Sequence, residues 1–162
     1  MYKLTRVILA MIDGVEIKEL KTYPDERGFF REVIRMTDVF FTEGFGQFSH
    51  SMMYAGVAKA WHYHKTQVDW WYVPVGNIKV VLHDKREDSS TAAETVEIFL
   101  GENYGAKVLK IPPGVAHGCK VLGSVAHLFY ITSKVYNRAE EGRLPHDDPK
   151  IGYDWEAGPE IK

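Results

Sequence analysis

The chain has 162 residues, 45% of them hydrophobic, and 20 basic side chains against 22 acidic ones give a formal charge of −2. This is the size and apolar content of one domain spanning 1–162, and basic residues scattered rather than clustered exclude an electrostatic footprint for nucleic acid or an anionic membrane. Cys119 is the only cysteine, so no internal disulfide framework is available and a reducing, cytoplasmic compartment is expected.

The opening stretch MYKLTRVILAMIDG has too short an apolar run to span a membrane and lacks a small-residue cleavage site, which reads as a mature start. Across 6–20, near-alternating Val15, Ile17 and Leu20 follow an Asp13-Gly14 turn signal and predict a β-hairpin. Pro24 to Gly28 is a polar turn and Phe29 to Met36 an alternating strand, with Arg27, Arg31 and Glu32 at its charged end. Thr37 and Asp38 can cap one or two helical turns that Gly44 and Gly46 close.

From Gln47 the chain alternates polar and apolar positions through His64. Pro74-Val75-Gly76-Asn77 then predicts a turn before IKVVLHD. A polar loop KREDSSTAAE separates that strand from TVEIFL, and GENYG leads into AKVLKIPPGVAHG and a last strand, VAHLFYITSKVY. Beyond Tyr136 a polar, proline-containing tail is expected to be loop-rich and packed by Leu144, Ile151, Tyr153 and Trp155. Short strands between turn signals predict an all-β fold, an antiparallel sandwich or barrel of the jelly-roll type, with only short peripheral helices.

The segment Gly56 to Gly76 concentrates the polar chemistry, with His62, His64, Gln67 and Asp69 among aliphatic and aromatic wall residues. Glycine, five residues, His62, one residue, His64, four residues, Asp69, six residues, Gly76 resembles the first motif of the cupin superfamily, with aspartate where glutamate is usual. Gly105 to His117, with Pro112-Pro113-Gly114, approximates the second motif. In a metal-dependent cupin, His62, His64, Asp69 and His117 would be the ligand set, suited to iron, manganese, nickel or zinc.

Other pieces run in order along residues 23 to 155. They are Asp25-Glu26-Arg27-Gly28-Phe29-Phe30-Arg31-Glu32; Gln47 with Ser49 and Ser51; Lys59-Ala60-Trp61-His62; Asp84-Lys85-Arg86; Ile111 to Gly118; Tyr130 six residues before Tyr136; and Asp147-Asp148-Pro149 with Asp154-Trp155. Together they resemble the dTDP-4-dehydrorhamnose 3,5-epimerases, which are cupin-fold (double-stranded β-helix) proteins that generally work without a metal or other cofactor. The resemblance implies a homodimer acting on a nucleotide sugar in the pathway to a surface polysaccharide.

It also implies roles. His62 would be the base that removes a proton beside a 4-keto group, and Tyr130 the acid that returns one, with Tyr136 in reserve. Arg27, Glu32, Gln47 and Lys59 would hold the nucleotide and its diphosphate, while His64, Gln67 and His117 would contact the substrate. Two departures stand out. The family's enolate-stabilising lysine aligns with Asp69, leaving Lys65, a slipped alignment or a metal as substitutes. The family's C-terminal aspartate partner for the base has no counterpart before Lys162, so another acid must orient His62, or none does. These departures keep open the metal-dependent reading and that of a non-catalytic sugar-binding cupin.

Overall fold

The computed structural model describes residues 11–158, so the opening stretch 1–10 and one arm of the hairpin expected across 6–20 lie outside the described residues. Within them the chain forms β1 (Glu16–Glu19), β2 (Thr22–Asp25), β3 (Gly28–Arg31), β4 (Gln47–Tyr54), β5 (Ala58–His64), β6 (Asp69–Asp84), β7 (Thr95–Gly101), β8 (Lys107–Ile111), β9 (Val115–Thr132) and β10 (Glu141–Arg143). One 3₁₀ turn, Glu102–Tyr104, is the only helical element among the described residues.

The two long strands form the spine. β6 and β9 pair antiparallel from Asp69↔Thr132 at one end to Asp84↔Val115 at the other, with register breaks between Tyr72 and Asn77. Those breaks turn a corner, so each half of the spine recruits its own neighbours. Asp69–Tyr72 pairs with β8, which carries β1, and the far half of β9 carries β4. Asn77–His83 pairs with β7, while the near half of β9 carries β5 and then β10. The result is a jelly-roll barrel with two facing walls, and the β2–β3 hairpin forms a separate two-stranded sheet.

Alternation makes the core. Trp71, Val73, Ile78, Val80 and Leu82 from β6 meet Val115, Cys119, Val121 and Leu128 from β9 in one buried cluster. The expected turn at Pro74–Asn77 is this corner inside β6 rather than a break between strands. Gly76 makes it possible: its φ is +78°, and a Cβ there would stand 2.0 Å from the Val125 carbonyl oxygen.

Two local expectations change. The strand expected from Phe29 to Met36 ends at Arg31. Residues 37–46 form open turns rather than helix, because Asp38 accepts hydrogen bonds from Lys18 Nζ and the Arg35 backbone while Phe40 and Phe41 bury themselves against Trp70. β1 pairs with β8, from Glu16↔Lys110 to Glu19↔Lys107. The tail packs as expected, with Leu144, Ile151, Tyr153 and Trp155 gathered around Trp61, Val81 and Ala116.

Candidate active site

Side-chain parity decides what faces the barrel interior. On β9, His117 and Cys119 from one half and Leu128, Tyr130 and Thr132 from the other line a single cavity of about 450 Å³, a volume suited to a small organic ligand. β4 contributes Gln47, Ser51 and Met53, and β6 contributes Asp69 and Trp71. On β5 simple alternation would send either Lys59 or His62 outward. A register shift between those two residues changes the parity, so Lys59, His62 and His64 all line the cavity while Trp61 packs on the outer cluster.

The cavity therefore unites His62, Tyr130, Gln47, Lys59, His64, Gln67 and His117 from the sequence reading. Tyr136 lines it too, and its backbone N–H donates to Gln47 Oε1 at 3.1 Å. Arg27 and Glu32 stand elsewhere. Arg27 extends from the β2–β3 hairpin with its side chain 84% exposed and paired to Asp25, and Glu32 lies near Arg35. Lys65, one substitute for a missing lysine, donates to the Ala139 carbonyl oxygen and is not among the cavity residues.

The partner of His62 comes from a place the sequence does not advertise. β10 pairs with β5, His64 opposite Glu141 and His62 opposite Arg143, and the Glu141 carboxylate lies 2.9 Å from His62 Nδ1. An ionised carboxylate accepts, so Nδ1 carries the proton and Nε2 is left for the substrate. Burial alone would raise the Glu141 carboxyl, but hydrogen bonds from Arg143 Nε at 2.8 Å and from His62 outweigh it and hold the group below the usual carboxylate range. Gly142 lets this strand close down: a Cβ on it would fall 2.0 Å from the Tyr63 ring.

Deeper in, Asp69 is 4% exposed and accepts hydrogen bonds from Gln67 Nε2 at 2.8 Å and Trp71 Nε1 at 3.2 Å. His64 Nε2 stands 3.8 Å and His117 Nε2 4.0 Å from its two carboxylate oxygens. His117 donates from Nδ1 to the Val115 carbonyl oxygen at 3.1 Å. Burial, reinforced by His64 and opposed by Asp69, pushes the His117 imidazole down to about 4, so at neutral pH it is uncharged.

A cupin-type barrel with a carboxylate-oriented imidazole on one wall and a phenol on the other is built to move protons on a ligand held between them. The chain belongs to the dTDP-4-dehydrorhamnose 3,5-epimerase family, whose family model matches residues 10–162. It is 47% identical over 148 residues to the spore coat polysaccharide biosynthesis protein SpsL of Bacillus subtilis strain 168, covering 90% of this chain and 97% of that one. Its fold superposes on the crystal structure of a dTDP sugar isomerase from Desulfovibrio desulfuricans G20 with a TM-score of 0.86 at 31% identity, covering 91% of this chain and 94% of that one. The dTDP-6-deoxy-D-glucose-3,5-epimerase RmlC of Legionella pneumophila Philadelphia 1, solved in complex with dTDP-4-keto-L-rhamnose, gives 0.82 at 31% identity over 94% of this chain and 84% of that one.

Proposed function

We propose that this chain inverts one or both carbons beside the 4-keto group of a dTDP-linked 4-keto-6-deoxyhexose, within the cytoplasmic assembly of a surface polysaccharide. The observation that carries the reading is the His62–Glu141 pair inside a cavity that also holds Tyr130. His62 Nε2 takes the proton from the carbon, the C–H electron pair becomes the C=C bond of an enolate, and the charge moves to O4. Tyr130 then delivers its phenolic proton to the opposite face, the enolate electrons re-form the C–H bond and the ketone returns. Solvent re-protonates the phenolate and takes the proton from His62.

Base and acid can be tested separately. In D₂O the parent chain should place deuterium at C3 or C5 with inversion, and His62→Ala should abolish uptake. Tyr130→Phe keeps the base, so deuterium should still exchange with retention while inversion falls about 10²-fold. Inversion by Tyr130→Phe at the parental rate would remove Tyr130 from the mechanism.

A homodimer explains the position of Arg27 and Glu32. The hairpin that carries Arg27 also exposes Phe29 and Phe30, 63% and 64% accessible, and the outer face of β4 exposes Phe48, Met52 and Tyr54. Apolar surface of this extent favours a second copy, across which the hairpin can bring Arg27 and Glu32 to a substrate diphosphate. Light scattering in solution should return twice the 18.5 kDa chain mass, and a monomer at micromolar concentration would count against the assignment.

A further inference from the structure

The geometry points to a divalent first-row transition-metal site formed by His64 Nε2, the Asp69 carboxylate and His117 Nε2 at the inner end of the cavity. The three donor atoms lie within 4.8 Å of one another. Donors of a tetrahedral site with bonds near 2.1 Å stand about 3.4 Å apart. The observed His-to-carboxylate separations of 3.8 and 4.0 Å therefore need only small side-chain rotations to close around an ion.

Two further features single out these residues. The Asp69 carboxylate is buried on two neutral donors, Gln67 and Trp71, and among the described residues no lysine or arginine lies within 4 Å of it. A buried carboxylate without a cationic partner is costly, and an ion between the two imidazoles would neutralise it. In addition, His117 is oriented from behind: its Nδ1–H is held by the Val115 carbonyl oxygen, which fixes the tautomer that presents a lone pair on Nε2. Two imidazoles and one carboxylate favour iron, manganese, cobalt, nickel or zinc over magnesium or calcium.

His62 stays outside the set. Its Nδ1 is committed to Glu141, so one residue need not be both ligand and base. The site departs from the metal-free working that the family resemblance implies, and its role in catalysis rests on the epimerase reading above. A cation there would supply the positive charge that a developing enolate oxygen requires. The cavity's fixed cations do not meet that need from the interior: Lys59 is exposed and donates to Ser51, and Arg143 is 71% exposed and paired to Glu141.

Tag-free protein purified without chelator, or stripped and reloaded with cobalt(II) and desalted, should hold about one equivalent of metal per chain by elemental analysis. Bound cobalt should also show a d–d absorption band. Asp69→Asn and His64→Gln should each lower occupancy at least tenfold, whereas His62→Ala should keep it. His64 is partly exposed, so its variant remains informative if the buried Asp69 change disturbs folding. Less than a tenth of an equivalent in the reloaded parent chain, or occupancy unchanged in both ligand variants, would overturn the site. Stripping should slow deuterium uptake and reloading should restore it. Full exchange by stripped protein would overturn the catalytic role and leave the epimerase reading standing, while metal bound without any exchange would support the site and sink that reading.

Discussion

Replacing His62 with alanine is expected to lower kcat/KM on a dTDP-4-keto-6-deoxyhexose by about 10³-fold or more, near the upper end of what a positioned general base contributes. The reason is geometric. The register shift in β5 brings this imidazole into the cavity, and its side chain is 34% exposed, open enough to meet a ligand. Because His62 is not part of the apolar core clusters, its loss should leave the melting temperature within a few degrees of the parent chain. A variant that folds and retains more than a tenth of parental activity would exclude His62 as the base.

Glu141→Gln should have the next largest effect. The glutamine keeps a hydrogen-bonding group of the same length opposite Nδ1 but removes the charge that favours the imidazolium formed when the base takes its proton. We expect kcat to fall about 10²-fold with KM nearly unchanged, since Glu141 acts through His62 rather than on the sugar. Glu141→Asp retains the charge on a shorter arm and should recover part of the rate. If Glu141→Gln kept the parental kcat, the pair would be a packing contact only.

The sequence exposed one member of this pair and concealed the other, for physical reasons. His62 lies in a strand with visible alternation and a recognisable spacing, and Tyr130 in another, HLFYI, so both could be placed on barrel walls. Glu141 belongs to Glu-Gly-Arg, a three-residue strand in a polar tail, too short to show any two-residue period. Its one clue is Gly142, whose missing side chain admits the Tyr63 ring. The parity change in β5 was equally hidden, because a bulge adds nothing to the composition and shows only in how the neighbouring strand is registered.

Where a long strand bends, its composition imitates a turn. Pro74-Val75-Gly76 has the composition of a turn, yet the hydrogen-bonded partner in β9 continues past it, so the strand turns a corner instead of ending. Burial of polar groups was the other blind spot. Gln67 and Asp69 sit beside each other with 6% and 4% exposure, and only their mutual hydrogen bond and that from Trp71 make this tolerable.

β10 has three residues and, among the described residues, is bonded along one side only, to β5, at the end of the sheet order. Such a strand opens at a small fraction of the free energy needed to unfold the barrel. Each opening would take Glu141 away from His62 while β5, held on its other side by β9, stays in place. The alignment of the base is therefore a local equilibrium of its own, and on warming, turnover would fade before the barrel melts.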